Sequence, residues 1–424
     1  MVILSLDAMS SKDMSLLKKM DNGSELLGQA ACCLNIASVY PSLTYPAHTT
    51  IMTGKLPVHH GIINNTKLQP RRKTPDWLWQ RKYIKGTTIY DEVIRDGKRV
   101  ASLLWPVTAK SKIQYNLPEI FPNRFWQNQF MVSTINGSVF YQMELLKKFN
   151  SLRKGISQPF LDDFICSSAV HTLQKYKPDL TLVHFTDLDT HKHLYGTKSE
   201  QVTQAIKRLD DRVGKLYTAA KEVYANDDLY FVLLGDHSQI DTKYAVYPNF
   251  LLKEAGFITI HNNKVKNYKV YFKHCDGCGY LYENPRNRLT QEEKEKLSDL
   301  VKSWKRQGNL GIDRVFTSKS AKKMGFDKKC IYMIEAKRGY YLLEDYEVDL
   351  KPIEEVKDGK MLATHGYHPN KSDYKTFFAV VGEDMQIGEF ECSKNLCDVG
   401  ATIAKILGVE LKDINGKPIE DIFQ

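Results

Sequence analysis

The chain has 424 residues, 42% hydrophobic and 26% charged, enough to bury one large core or two modest ones and unlike disordered or fibrous chains. Its longest apolar runs, such as 229–234, fall far short of the roughly 20 residues that cross a bilayer, so no membrane span is expected. The net charge of +10 comes from scattered bases (Lys302, Lys305 and Arg306, or Lys319 to Lys329), which read as solvated surface and indicate no specific nucleic-acid partner.

From the N-terminus, Val2-Ile3-Leu4-Ser5-Leu6-Asp7 reads as a buried strand ending on a carboxylate, not as a secretory leader, which predicts a cytoplasmic protein. The cysteines agree with that address. Adjacent Cys32 and Cys33 with lone Cys166 and Cys330 lack the spacing of a disulfide framework, so reduced thiols are expected. Cys275 and Cys278 sit in an aromatic strand-like run, and Cys392 and Cys397 are loosely spaced. Both pairs read as free thiols, not as a second metal site.

Further strands are expected at 100–104, 180–185, 229–234 and 377–381, alternating with helices at 160–176, 199–224 and 396–407. That rhythm predicts an α/β domain with a largely parallel, buried sheet. Two stretches break it, near 113–154 and 273–348, and read as cap insertions in a single domain spanning 1–424, because sheet elements resume after each.

The chemistry-bearing residues stand where strands stop: Asp7 after the first, Asp189 beyond 180–185, and Asp236-His237 after 229–234. Ligands of open α/β sheets bind at the carboxyl ends of strands, so these side chains are expected to converge. Singly, each is as well explained as a helix cap, a turn former or an ordinary surface histidine. Asp189 and His193, four residues apart, share a helix face and can chelate a metal, with His191 competing as the ligand. Farther on, Thr364-His365-Gly366-Tyr367-His368 offers another imidazole, and spacing does not separate His365 from His368. Carboxylates mixed with imidazoles suit zinc, or manganese, better than calcium.

The segment Tyr40-Pro41-Ser42-Leu43-Thr44-Tyr45-Pro46-Ala47-His48, continuing to Thr53-Gly54 and then His60-Gly61-Ile62-Ile63-Asn64-Asn65, resembles the nucleophile segment of the nucleotide pyrophosphatase/phosphodiesterase branch of the alkaline phosphatase superfamily. The family's other motifs follow in order over nearly the whole chain: Asp7, Asp189 with His193 before Leu194-Tyr195-Gly196, Gly235-Asp236-His237, Thr364-His365-Gly366, and a closing segment Asp398-Val399-Gly400-Ala401-Thr402. The resemblance implies an alkaline phosphatase-like three-layer sandwich with cap insertions. It also implies a two-metal phosphodiesterase or nucleotide pyrophosphatase that acts on a small phosphate ester through a covalent phospho-threonine. On that pattern Asp189, His193 and His365 hold one divalent ion, Asp7, Asp236 and His237 the other, and the Thr44 oxygen lies between them. Asn65 then serves a nonbridging phosphoryl oxygen, and Tyr45 lies against the leaving or nucleoside group. One departure is that Asp187-Leu188-Asp189 stands where the family commonly has Glu-Pro-Asp.

A sulfatase needs Cys or Ser followed by Pro and Arg at the nucleophile, which Thr44-Tyr45-Pro46-Ala47-His48 lacks. A phosphomonoesterase or phosphonate hydrolase of the same superfamily is the nearest alternative. A metal-dependent phosphomutase is expected to carry Ser and a larger inserted domain, and a basic nucleic-acid-binding module has no use for Asp and His at separate strand ends.

Overall fold

In the computed structural model, which describes residues 1–262 and 264–424, the chain is organised on a nine-stranded sheet. Strands β1 (Val2–Leu6), β2 (Ala31–Ala37), β3 (Val100–Leu103), β4 (Tyr115–Leu117), β5 (Leu180–Phe185) and β6 (Phe231–Leu234) belong to it. The spatial order is Gly388–Phe390, β2, Thr376–Val381, β6, β1, β5, β3, β4, with Lys394–Asn395 also on β2. Every pairing is parallel except those of Thr376–Val381, which runs antiparallel to both β2 and β6.

Every residue of β1, β5 and β6 is buried, as near-continuous apolar strands must be when helices cover both faces. The pleat of β1 sends Val2, Leu4 and Leu6 to one face, where they meet Phe164, Leu173, Leu209 and Leu216 from the helices Phe160–Tyr176 and Glu200–Val223. Ile3 goes to the other face, with Ile51, Val93, Val399 and Ile403. Each fully buried Leu, Ile or Phe contributes about 1.5–3 kcal/mol, so the three layers rest chiefly on these two cores. Glu200–Val223 starts where expected because Ser199 caps it, accepting the Val202 N–H at 3.3 Å.

Outside this sheet, Val270–Cys275, Cys278–Glu283, Tyr332–Ala336 and Ile312–Thr317 form a separate antiparallel sheet. The helix Gln291–Arg306 contributes Leu297, Val301 and Trp304 to its core. Between β4 and β5 the chain forms the helices Gln129–Thr134, Val139–Phe149 and Phe160–Tyr176.

The expectation of wholly reduced cysteines is overturned at one pair. Cys33 and Cys392, 359 residues apart, are joined in a disulfide. The reason is topological: Gly388–Phe390 lies on β2 with Phe390 opposite Cys33, so the chain leaves the sheet edge with Cys392 beside that thiol. The other six cysteines are free and buried. Thiol titration of the unreduced, denatured protein is therefore expected to find six reactive groups, and a count of eight would refute the pairing.

Candidate active site

Strands β6, β1 and β5 are neighbours in register, with Ser5 opposite Leu234 and Leu6 opposite Phe185, so their carboxyl ends finish side by side. That juxtaposition gathers residues scattered over the sequence. Asp7 follows β1, Asp236 and His237 follow β6, and Asp189 lies in the helix Asp187–Tyr195 just after β5. His365 follows the short strand Ala363–Thr364, and Thr44 is the first residue of the helix Thr44–Thr53, shortly after β2.

Among the described residues, two groups have ligand atoms close enough to hold a metal ion: Asp7, Asp236 and His237, and Asp189, His237 and His365. His237 Nε2 lies 3.2 Å from Asp236 Oδ2, 3.4 Å from Asp7 Oδ1 and 3.3 Å from Thr44 Oγ1, and its ring stacks on His365 at 4.1 Å. His193 reaches Asp189 Oδ2 at 3.3 Å, while its Nδ1 faces the Ala363 carbonyl at 2.8 Å. The partition differs from that implied by the resemblance in two respects: His237 stands in both groups, and His193 stands in neither.

The donor set fits cations. Asp7 Oδ1 and Asp236 Oδ2 are buried with no hydrogen-bond donor of the protein, and two such carboxylates are costly to ionise together without a positive charge between them. Burial, and then the charge of Asp189, push the Asp7 carboxyl up to about 7. Burial and Asp7 push Asp236 well above its ordinary range. Burial and the nearby His365 hold His237 well below its usual value, so it presents a neutral imidazole, the form that ligates metals. At Asp189 burial is outweighed by His193, His365 and His237, which hold the carboxyl low. Against burial, Asp189 raises His193 to about 9. Without metal these two form an ion pair, and a cation must displace the His193 proton.

Thr44 is held by its surroundings. His48 Nδ1 meets the Thr44 carbonyl at 2.8 Å and its Nε2 meets Ser5 Oγ at 2.8 Å, so the helix start is tied to β1. Asn65 Oδ1 accepts the Tyr45 N–H at 3.0 Å, which orients the amide and leaves its NH2 to donate. Tyr45 is wholly buried: its hydroxyl donates to Glu119 at 3.4 Å and its ring meets Trp77 edge-on at 5.3 Å. It thus packs in the cavity wall.

The alternative histidines point elsewhere. His191 Nδ1 lies 2.9 Å from Asp187 Oδ1, and Asp187 receives Arg208 at 2.7 Å and Arg212 at 2.8 Å. The departure Asp187-Leu188-Asp189 therefore anchors the ligand-bearing helix through a buried ion network. His368 packs on Tyr40 at 5.0 Å. Three supporting residues escaped sequence reasoning. His184 Nε2 meets Asp7 Oδ2 at 3.0 Å, Gln239 donates to Asp189 Oδ1 at 2.6 Å, and Asp276 Oδ2 lies 3.7 Å from His365 Nδ1. Such partners orient metal ligands, but they arrive from separate elements and carry no local signature beyond adjacency for Gln239.

These groups open on a cavity of about 440 Å³. Thr44, Asn65, Asp7, Asp189, His193 and His365 line it together with Leu117, Ile120, Phe121, Leu161 and Phe164. Arg153 is the only Lys or Arg among its described lining residues, and its guanidinium lies over the Phe164 ring at 5.0 Å.

Residues 1–368 match the model of the type I phosphodiesterase / nucleotide pyrophosphatase family. Human ectonucleotide pyrophosphatase/phosphodiesterase family member 1 is 26% identical over 245 residues, 56% of this chain and 22% of its own length. Venom phosphodiesterase 2 of Crotalus adamanteus is 23% identical over 270 residues, 61% of this chain and 26% of its own. The chain thus matches about a quarter of the length of these curated relatives. The solved structure of murine ectonucleotide pyrophosphatase/phosphodiesterase 5 superposes with a TM-score of 0.69 at 14% identity, covering 100% of this chain and 99% of that one, and so shares its alkaline phosphatase-like fold. The chain belongs to the type I phosphodiesterase / nucleotide pyrophosphatase family, within the alkaline phosphatase superfamily.

Proposed function

We propose that this chain is a two-metal phosphodiesterase or nucleotide pyrophosphatase with Thr44 as nucleophile, a reading carried by the placement of Thr44 Oγ1 beside His237 where the two carboxylate–histidine groups meet. Asp7, Asp236 and His237 would hold one divalent ion, and Asp189, His193 and His365 the other. The donor set suits zinc, with manganese second. Bound divalent ions lower the pKa of a coordinated hydroxyl and stabilise charge building on the phosphoryl oxygens.

The chain's own residues supply the rest. Thr44 Oγ1 attacks phosphorus, the ester oxygen leaves, and a phospho-threonine forms that water then hydrolyses. Asn65, its carbonyl already engaged by Tyr45, donates from its NH2 to a nonbridging oxygen as charge develops. His48 and Ser5 hold the Thr44 backbone in place, and the buried setting excludes bulk water from the cluster. An inactive threonine-to-alanine form of the murine relative was solved in complex with AMP, which supports a threonine-dependent reaction on a nucleotide-like phosphate here.

Charge favours a diester. Three carboxylates, two divalent ions and an ionised Thr44 sum to about zero. A diester adds one negative charge and a monoester up to two, and among the described residues Arg153, over Phe164, is the only Lys or Arg lining the cavity. Arg71 and Arg72 are engaged elsewhere, with the Lys266 carbonyl and Asp76. With zinc or manganese added, kcat/KM for bis-p-nitrophenyl phosphate or p-nitrophenyl thymidine monophosphate is expected to exceed that for p-nitrophenyl phosphate. Faster monoester hydrolysis by about tenfold or more, equivalent to about 1.4 kcal/mol, would favour a phosphomonoesterase. Turnover of a phosphonate alone would favour a phosphonate hydrolase.

A further inference from the structure

Among the described residues, ten of the fourteen large hydrophobic side chains left exposed lie between Phe125 and Ile156, a concentration in one stretch of chain that ordinary scatter does not give. Phe125 is 96% exposed and Phe140 88%. The helix Val139–Phe149 buries Tyr141, Gln142 and Leu145 inward, with the Tyr141 hydroxyl 2.7 Å from Thr172 Oγ1, yet its outer side carries Phe140 and Met143. A helix that is apolar on both sides is normally covered on both. Gln142 bonds Ser133 through both ends of its amide, at 2.6 and 3.1 Å. It thereby fastens this helix to Gln129–Thr134, whose Phe130 and Met131 are also exposed.

The patch is continuous with the cavity. Gln129, Ser133 and Ile156 line it, Ile156 is also 57% exposed, and deeper in, Ile120, Phe121 and Leu161 keep the lining apolar. The same stretch is basic: Lys147, Lys148 and Lys154 are exposed. The one acid of the two helices, Glu144, is engaged by His171, Lys175 and Tyr176.

Resting on the phosphodiesterase reading above, we propose that the face built by residues 125–156 docks on a lipid surface bearing anionic headgroups, which sets the mouth of the cavity against that surface. Exposed aromatic and aliphatic side chains accompanied by lysines suit the membrane interface, where rings enter the headgroup boundary and bases meet anionic lipid. A second copy fits less well. A two-fold interface sets the same patch against itself, bringing the lysines of both copies together without acids to answer them.

The first test is co-sedimentation of the full chain with vesicles of phosphatidylcholine, with and without phosphatidylglycerol. Binding is expected with phosphatidylglycerol, weaker without it and weakened by salt. A Phe125→Ser/Trp126→Ser/Phe140→Ser variant should lose at least about tenfold in vesicle affinity, while its turnover of bis-p-nitrophenyl phosphate in lipid-free solution stays at the wild-type level. Absence of vesicle binding by the wild type, unchanged binding by the triple variant, or a stable dimer dissociated by the triple variant would each overturn the proposal. Failure to hydrolyse any soluble diester, with vesicle binding intact, would instead strike the underlying phosphodiesterase reading.

Discussion

Replacing Thr44 with alanine is expected to lower kcat for a chromogenic diester by about a thousandfold or more, the scale on which enzymes respond to loss of a nucleophile. The fold should survive. Thr44 opens its helix next to the cavity, and among the described residues His237 is the side chain its hydroxyl hydrogen-bonds, so truncation creates little void and is expected to cost under about 1 kcal/mol. Thr44→Ser restores an oxygen at the same position and should recover part of the activity. Steady-state kinetics with metal analysis and thermal melting of all three proteins would separate a lost nucleophile from a damaged site. Wild-type turnover in the alanine variant would remove Thr44 from the mechanism, whereas loss of metal together with activity would make it a ligand first.

Stripping divalent ions with a chelator is expected to reduce turnover to background and to lower Tm by several degrees, with both restored by zinc or manganese. The second effect follows from Asp7 and Asp236, two buried carboxyls each with one oxygen that lacks a protein donor. In the metal-free chain burial and neighbouring carboxylates raise Asp7 from an ordinary 3.8 to about 7. A folded-state pKa above the unfolded one gives stability that is fully present below the unfolded pKa and lost as pH rises through the folded one. The metal-free protein should therefore weaken between about pH 4 and 7, and the Tm gap between metal-loaded and stripped protein should widen over that range. Melting both forms across the range checks the sign. A gap that narrows toward pH 7 would show that these carboxyls do not share a cation.

Elemental analysis bears on the same centre, because His237 stands in both candidate groups. If a single metal saturates activity, the Asp7–Asp236 group and the Asp189–His365 group cannot act as two sites, and charge balance would no longer favour a diester.

Much of the fold was legible because the strands that build the middle of the sheet are apolar on both faces. Val2–Leu6, Leu180–Phe185 and Phe231–Leu234 are short, largely apolar runs, and the long helices are marked by period and caps, as at Ser199. Strand order was not legible. That Thr376–Val381 enters antiparallel between β2 and β6 depends on which edges remain unpaired once other strands have assembled, a non-local condition with no signature in the strand itself.

By itself the sequence determined that Asp7, Asp189 and Asp236-His237 stand at strand ends and that the Thr44 segment and its companions follow one family's order, because those are statements about neighbours along the chain. Only the tertiary structure decided which side chains face one another. Asp187 with His191 and Asp189 with His193 are both pairs four residues apart on one helix, and two residues turn that helix through about 200°. Which pair looks into the site is set by the docking of Asp187 onto Arg208 and Arg212, contacts about twenty residues away in sequence. The same holds for His184 beneath Asp7, Asp276 beside His365, and Cys33 against Cys392. Each pair is joined by strand order and register, which fix distances between residues that the chain alone leaves free.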